Sequence, residues 1–520
     1  MFTRNFLAVM LIGLSACLCG GLAATDGRIK QDGLYNPPAP RAQPQPQPAD
    51  QPTPQPAEGQ PAPQPVKLSL KETPVADIDA GMITATLVAS PDLRRAAYVA
   101  RPAGQKTSFV VLDGVQGKPY DAISMLTFSP DSKRFAYAVK SGEQYFVVAD
   151  GAEGKPYDYV SGITFSPDSK RLAYKVKPKN EESLVVVADG AEGKRYSSVG
   201  ALVFSPDSAH LAHSTWSDYG NKGGAMVVDG TAGKVYNGTL SDPVFSPNSK
   251  RMAYGVSLFS EKKQMVVLDG AEGKAYDNLC VDVFTEAKDK GRHLLFSPDS
   301  GRFAYFAMTG GKWLAVADGA EGKAYNEVRL RSLVFSPDSK RLAYAACAGN
   351  QWIVALDGNE STEKYSDVID AGLVFSPDSK RFAYCTVFSG FAGVGSVVYI
   401  DGVAQKVFQP PTEPVVFSPD SKRAAFAGAA TKNAVTVDGA PGAQYDEYCP
   451  GTLAFTPDSK HVAYLARKDA KWKIIVDAAE AGEYDSLVGG GKLIIDTPAH
   501  LHAMMIRGGK IYLVEIEITE

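Results

Sequence analysis

The sequence predicts an all-β fold made of about eleven repeated units, because one motif recurs along most of the chain. It reads Phe-Ser-Pro-Asp-Ser-Lys-Arg-Phe-Ala-Tyr from Phe128 to Tyr137. Successive copies lie 37 to 42 residues apart, except for one interval of 51 residues. Their prolines are Pro91, Pro130, Pro167, Pro206, Pro247, Pro298, Pro337, Pro377, Pro419 and Pro457, with a weaker copy at Pro498. A period of this length is typical of the four-stranded blade of a β-propeller.

Each unit carries four strand signals. In the third copy, residues 163–165 form a short strand, residues 171–176 a second and residues 184–188 a third. The glycine-bearing turn at 189–194 then leads into a fourth strand around Tyr196. The second strands are apolar on both faces, so each sheet needs a cover on both sides. Neighbouring blades of a propeller provide that double cover.

The two ends of the repeat region predict how the structure closes. Residues 510–516 read as the third strand of a last unit, with no fourth strand after them. Residues 75–79 precede the first unit, where every other unit has the fourth strand of its predecessor. We therefore expect an N-terminal strand to complete the C-terminal blade and to remove its free edge.

The number of rings is a separate question, because common propellers hold up to eight blades. The interval of 51 residues contains an irregular stretch at 282–293. This favours two packed rings over one large ring, with the boundary within residues 280–294.

Two N-terminal segments are set apart from the repeats. Residues 1–24 read as an export leader whose Leu14-Ser15-Ala16-Cys17 resembles a bacterial lipobox, which predicts lipid attachment at Cys17. The alternative is ordinary cleavage near Ala24. Residues 25–66 are rich in Pro and Gln and predict a disordered spacer, in which the 29 residues from Pro37 to Pro65 reach up to about 90 Å as polyproline II.

Composition narrows the class of partner. The net charge is −4 with acidic and basic residues intermixed, so there is no basic stripe for nucleic acid. No second apolar segment approaches membrane length, which leaves the lipid anchor as the only predicted membrane contact. Cys347 and Cys385 fall in equivalent strands of neighbouring units, where either a bridge or two free buried thiols is possible.

The repeat motif resembles the WD-type, TolB-like propeller repeat, which also occurs in the propellers of prolyl oligopeptidases. The resemblance covers nearly all of residues 75–520 and implies a propeller fold. It implies little about activity, because the same blade serves binding proteins and enzymes.

Motifs for catalysis and for metal binding are scarce. The sequence contains neither Gly-x-Ser-x-Gly nor His-Glu-x-x-His. His210 with His213 and His500 with His502 could each hold a metal if a carboxylate joined them. We interpret them instead as substitutions of repeat positions, and the repeated Asp-Gly as turn chemistry rather than calcium binding. We therefore expect no metal and no cofactor.

Strand directions place the Ser-Pro-Asp-Ser and Asp-Gly turns on one face, which is nearly identical from unit to unit. The connections on the opposite face differ in length and character, as a recognition surface requires. Aromatic residues near this variable face are candidate partner contacts, with plain edge packing as the alternative. They are Trp216, Tyr219, Trp313, Trp352, Phe391 and Trp472.

These observations predict an exported, non-catalytic protein of the cell envelope, lipid-anchored and facing the periplasm or the cell surface. Its variable face would bind an envelope protein or a cell-wall glycan. The alternative function is a propeller enzyme, a lyase or hydrolase, acting on polysaccharide or peptide. The sequence carries no signal for an oligomeric state.

Overall fold

The computed structural model describes residues 66–217, 223–279, 293–369, 372–390, 393–407, 411, 413–428 and 433–519. The leader, most of the spacer, Cys17, Tyr219 and Phe391 lie outside these ranges. The described residues are almost entirely strands and turns, with short 3-10 helices at Thr84–Thr86, Leu330–Ser332 and Val488–Gly490. None of these helices has the length and apolarity needed to cross a bilayer.

The described strands form eleven antiparallel sheets, each a four-stranded blade, and the blades are arranged in a ring as a β-propeller. In several blades the first strand is split into two short pieces that both pair with the second strand. In chain order, the strands of blades 1 to 4 are Val88–Ala89, Ala96–Ala100, Phe109–Leu112, Val115–Gln116; Ala122–Phe128, Phe135–Ser141, Gln144–Ala149, Ala152–Glu153; Tyr159–Phe165, Leu172–Lys177, Leu184–Ala188, Ala191–Tyr196; and Ser198–Val199 with Val203–Phe204, Leu211–Ser217, Gly223–Val228, Thr231–Tyr236. Those of blades 5 to 8 are Gly238–Leu240 with Val244–Phe245, Met252–Leu258, Lys263–Leu268, Ala271–Tyr276; Leu294–Phe296, Phe303–Thr309, Lys312–Ala317, Ala320–Glu321; Glu327–Val328 with Val334–Phe335, Leu342–Ala348, Gln351–Leu356, Asn359–Glu360; and Asp367–Val368 with Val374–Phe375, Phe382–Gly390, Gly393–Ile400, Val403–Val407. Those of blades 9 to 11 are Val416–Phe417, Ala424–Ala427, Ala434–Val437, Ala440–Gln444; Glu447–Tyr448 with Ala454–Phe455, Val462–Lys468, Lys471–Val476, Ala479–Tyr484; and Ser486–Leu487 with Leu493–Ile495, His500–Arg507, Lys510–Thr519, Lys67–Asp77.

The last blade takes its outer strand from the beginning of the repeat region. Lys67–Asp77 pairs antiparallel with Lys510–Thr519, from Lys67 opposite Thr519 to Asp77 opposite Lys510. This is the arrangement that the two incomplete ends of the repeat region predict. It joins the ends of the chain's folded part within one sheet and covers the edge of Lys510–Thr519.

All eleven blades belong to one ring, so the preference for two packed rings was wrong. From blade 1 to blade 10 the turn of this motif in each blade contacts that of the next blade. The contact continues past residues 280–294, where the Asn248 N–H donates to Ser300 Oγ at 3.0 Å. The ring closes where His502 Nε2 lies 2.8 Å from the carbonyl oxygen of Asp92 in blade 1. The long interval is therefore an insertion between blades 5 and 6 that leaves their packing intact.

The core consists of apolar layers between neighbouring blades, as the two-faced second strands predict. One layer joins Ala136 and Val147 of blade 2 to Tyr174 and Val185 of blade 3. The repeating alanine is fully buried, at 0% exposure for both Ala136 and Ala173. Its small side chain lets the sheets approach closely, and the large side chains of the next blade fill the space around it.

The described cysteines carry free thiols. Cys347 and Cys385 are buried and unbridged, as is Cys449. For Cys347 and Cys385 the structure therefore has two free buried thiols rather than a disulfide bridge. Burial raises the pKa of the Cys385 thiol to about 12, which keeps it protonated.

Candidate functional site

The face that carries the Asp-Gly turns is built from repeated structural contacts. Asp150 and Gly151 have φ angles of 51° and 84°, the pair of positive values that a type I′ hairpin turn requires. The Asp150 carboxylate accepts hydrogen bonds from the Phe135 N–H at 3.0 Å and from Arg134 Nε at 2.9 Å. Turn chemistry thus explains the recurring Asp-Gly.

The arginine of the repeat motif, where it is present, can fasten its blade to the next one. Arg134 Nη1 donates to the carbonyl oxygens of Ser169 and Lys170 in blade 3, at 3.1 and 2.8 Å. Its guanidinium lies over the Phe165 ring, 5.0 Å from the ring centroid. We call this contact the arginine clasp. It recurs with Arg95, Arg171, Arg251, Arg302, Arg381 and Arg423.

A second repeated contact joins the outer strands, and we call it the glutamate clasp. Glu153 of blade 2 accepts hydrogen bonds from Lys118 Nζ and the Tyr120 hydroxyl of blade 1, both at 2.6 Å. Burial, together with the Glu153 carboxylate, raises the pKa of Tyr120, so its hydroxyl remains a donor. Equivalent clasps involve Glu192, Glu321 and Glu360. The two clasps thus use arginine, glutamate and lysine side chains of the repeat to join neighbouring blades on this face.

The opposite, variable face contains a cleft of about 490 Å³ across blades 3, 4 and 5. It runs along the first strands of these blades, from Thr164 and Leu202 to Ser198, and includes Lys175 and Trp216 of the second strands. Ser198 and Trp216 are next to the connections of the variable face. Its polar lining comprises Thr164, Lys175, Ser198, Ser214, Thr215 and Thr239, and Trp216 lines it too. Among the described residues that line it, none carries a carboxylate or an imidazole.

Lys175 and Gly200 shape the floor of this cleft. Lys175 Nζ donates to the carbonyl oxygens of Gly200 and Val199, at 3.2 and 3.4 Å. A Cβ atom at Gly200 would lie only 2.2 Å from Ser214 Oγ and 3.2 Å from Asp242 Oδ1. A side chain at this position would force the Ser214 side chain to shift, so glycine suits the close approach there.

Two hydroxyl groups of the lining have only weak internal partners. Thr164 Oγ1 is 3.5 Å from the carbonyl oxygen of Phe165, and Thr215 Oγ1 is 3.5 Å from that of Trp216. Hydrogen bonds of this length contribute little. A ligand hydroxyl can replace them at small cost.

Aromatic side chains lie on blades 2 to 5 near the cleft, and Trp216 lines it. Trp216 is half-buried and packs against Phe259, with ring centroids 5.7 Å apart, and Phe259 is 52% exposed. On blade 3, Tyr159 is 47% exposed and contacts Tyr145 at 6.3 Å. We call Tyr145, Tyr159, Trp216 and Phe259 the aromatic rim. Exposed aromatic groups of this kind commonly contact ligands.

The other aromatic candidates do not join this site. Trp352 and Trp472 are buried, at 6% and 9% exposure, so their assignment as partner contacts is corrected. Each ring turns into the joint between blades, where Arg329 lies 4.2 Å from the Trp352 centroid and Arg467 lies 5.8 Å from that of Trp472. Trp313 is half-buried in the joint between blades 6 and 7. Tyr219 and Phe391 lie outside the described residues.

His210, His213 and His502 make contacts within the fold. His502 is buried and bonds Asp496 Oδ2 through Nδ1 at 2.7 Å, and His210 Nδ1 bonds Asp229 at 2.6 Å. His213 is buried against Tyr196, and burial lowers the pKa of its imidazole. The described part of the chain contains no group of three side chains suited to a metal.

Most of the cleft was missed from the sequence, although a signal for it exists. Lys175 and Ser214 follow the Ala-Tyr of the motif or its Ala-His variant, where blades 2 and 7 have Ala138 and Ala345. A lysine at a position that is otherwise small or apolar marks a specialised blade. Trp216, which lines the cleft, is the one candidate that sequence reasoning placed there.

No family model matches this sequence, and no curated protein matches it with significance. Many solved structures are similar to it, and three of them, at low identity, are the following. One, described as a eukaryotic initiation factor, is 10% identical, with 65% of this chain and 91% of that chain covered and a TM-score of 0.36. The propeller domain of the Trilobed protease from Pyrococcus furiosus is 13% identical, covers 54% and 96%, and has a TM-score of 0.29. The Dos1 propeller is 12% identical, covers 68% and 90%, and has a TM-score of 0.31.

Proposed function

We propose that this protein is a non-catalytic binding propeller of the cell envelope, which holds an envelope protein or a cell-wall glycan through its variable face. The single observation that supports this best is the difference between the two faces. On one face, the arginine and glutamate clasps use the repeated charged side chains to join blades. On the other face, the aromatic rim and the cleft remain accessible to a partner.

Site-specific photo-crosslinking in intact cells tests this proposal. A photoreactive amino acid in place of Tyr159 or Phe259 would stand on the aromatic rim. The matched controls carry it in place of Lys170 or Lys340, whose side chains are 82% exposed on the clasped face. We expect crosslinked products of defined size from the rim positions and none from the controls. Equal crosslinking from both faces, or none from the rim, would contradict the proposal.

The envelope location rests on the leader and its lipobox-like Leu-Ser-Ala-Cys. Growth with a labelled fatty acid tests it, because acylation would attach the label to Cys17. We expect the label in the wild type and in the Cys19→Ser control, but not in the Cys17→Ser variant. An unlabelled protein cut near Ala24 would establish ordinary cleavage instead.

A further inference from the structure

We infer that the cleft across blades 3, 4 and 5 binds sugar rings of a glycan, and that glycan rather than protein is the partner of the variable face. This rests on the proposed function, because it assigns the partner of that same face. The inference follows from the size of the cleft, its hydroxyl-rich lining and the aromatic rings beside it.

The volume and form of the cleft suit a small organic ligand. Sites for such ligands have volumes of about 300–1,000 Å³ and place a few polar groups around an otherwise closed surface. The cleft, at about 490 Å³, falls in that range. Its floor is held rigid by the hydrogen bonds from Lys175 to the backbone of residues 199 and 200.

The lining chemistry favours a ligand that carries many hydroxyl groups. Thr164, Ser198, Ser214, Thr215 and Thr239 contribute hydroxyls that can each donate and accept. Sugar hydroxyls have the same dual capacity and can pair with several of these groups at once. A protein hot spot is instead centred on desolvated apolar, aromatic or arginine side chains.

The aromatic rim supplies an apolar surface, which the hydroxyl groups of the lining do not provide. One face of a sugar ring is made of C–H groups, and an indole ring provides a broad apolar surface for it. Trp216 lies at the cleft itself, with Phe259 beside it on blade 5. Tyr159 is exposed on blade 3, in the strand whose residues 162–164 line the cleft. A chain of several sugars in the cleft would stack on Trp216 and could extend towards Tyr159.

The repeats themselves indicate that these side chains are specialised. At the position of Trp216 the blades on either side have Lys177 and Ser257, and blade 6 has Met308. Packing alone does not require Trp there, because the same fold accepts these other residues. The other blades thus provide matched control positions within one molecule.

Titration of defined oligosaccharides into the full-length protein tests the inference. The probes are tetramers of β-1,4-linked N-acetylglucosamine, of glucose and of a uronic acid, followed by calorimetry and tryptophan fluorescence. We expect at least one tetramer to bind saturably. Preference for the uronic acid would place its carboxylate near Lys175, and preference for a neutral tetramer would leave recognition to the hydroxyls.

Three cleft variants and two controls locate the binding. We expect Trp216→Ala to weaken binding at least tenfold and Thr164→Val several-fold. Thr127→Val, at the equivalent position of blade 2, and Trp313→Phe should bind as the wild type does. Trp216→Phe should keep part of the affinity, because it keeps an aromatic ring. A thermal midpoint equal to that of the wild type would show that each variant is folded.

Two results would overturn the inference. One is that none of the three tetramers binds at concentrations up to 10 mM. The other is that cleft and control variants bind equally well. If crosslinking from Phe259 still captures a partner in either case, the proposed binding face stands and only its assignment to glycan is lost.

Discussion

Tyr484 donates a hydrogen bond of 2.6 Å to the carboxylate of Glu72, which precedes it by 412 residues in the chain. Arg507 Nη1 donates to the same carboxylate at 2.9 Å. Glu72 thereby performs in blade 11 the role that Glu153 performs in blade 2. The N-terminal strand therefore contributes a glutamate clasp as well as backbone pairing to the closed ring.

Replacing Glu72 by Gln should destabilise the closed ring. The amide keeps the shape but loses the charge that Arg507 and Tyr484 bind, so we expect a loss of about 1–2 kcal/mol in unfolding free energy, reduced by solvent screening. Thermal unfolding of the variant measures this loss. The control is Ser69→Gln, on the exposed side of the same strand. An equal midpoint in both variants would contradict the role of the clasp.

The effect of Glu72 should depend on pH. Burial opposes ionisation, but hydrogen bonds from Arg507 and Tyr484 outweigh it and hold the pKa of Glu72 below its ordinary value. Because the Glu72 carboxyl has a lower pKa in the folded state, its contribution to stability is complete above the pKa of the unfolded chain, about 4.3. This contribution is lost as the pH falls through the pKa of the folded state. The stability difference between wild type and Glu72→Gln should therefore narrow below about pH 4.

Blade 4 lacks the arginine clasp, because His210 stands where the motif has Arg. Its imidazole bonds Asp229 but is too short to extend to the carbonyl groups of the next blade. We predict that His210→Arg restores the contact with Ser249, Lys250 and the Phe245 ring. The expected gain is about 0.5–1.5 kcal/mol in unfolding free energy, seen as a raised thermal midpoint.

The reverse change provides the control for that prediction. Arg134→His removes an existing clasp between blades 2 and 3 and should lower the midpoint by a comparable amount. The prediction would be contradicted if both changes lowered stability. In that case the carbonyl groups of Ser249 and Lys250 in blade 5 would not be placed as Ser169 and Lys170 are in blade 3.

His213 should make stability fall under mildly acidic conditions. Burial, the largest cause, and the nearby Lys175 lower the pKa of this imidazole, so the folded state keeps it neutral. The unfolded chain takes up a proton near pH 6.5, so stability is complete above that pH and declines below it. His213→Tyr, which restores the repeat residue, should flatten the dependence of the thermal midpoint between pH 7 and 5. His500→Gln, at an exposed histidine, should leave that slope unchanged.

The repeat period and the strand pattern were enough to predict the β-propeller fold and its four-stranded blades. They were sufficient to place the Asp-Gly turn at Asp150 and to predict that an N-terminal strand completes the last blade. That strand was expected at residues 75–79 and extends from Lys67 to Asp77, so it begins earlier and includes Glu72. The ring number was not predictable, since it depends on the angle at each joint, which packing such as that of Ser300 against Asn248 sets. An irregular insertion in sequence says nothing about that angle.

The candidate site was harder to predict for a related reason. Trp313 and Trp352 begin equivalent strands, yet Trp352 is more deeply buried, under the Arg329 guanidinium. Arg329 lies in the connection within the first strand of the same blade, so this difference arises from packing between strands that the local repeat pattern does not show. Lys175 was visible as an unusual residue, but only the assembled blades place it beside Ser214 and Trp216.

The joint between blades 3 and 4 lacks the glutamate clasp, and we predict that a single substitution restores it. Ala232 holds the place that Glu192 holds one blade earlier, since they pair with Val227 and Val187 respectively. In Ala232→Glu the new carboxylate should accept hydrogen bonds from Lys194 and Tyr196 and raise the thermal midpoint by about 1 °C. Glu192→Ala should lower the thermal midpoint by a similar amount.

Ala232→Glu and His210→Arg act on opposite joints of blade 4, so we expect their shifts in thermal midpoint to add in the double variant. A combined shift smaller than the sum would mean that strengthening both joints strains blade 4.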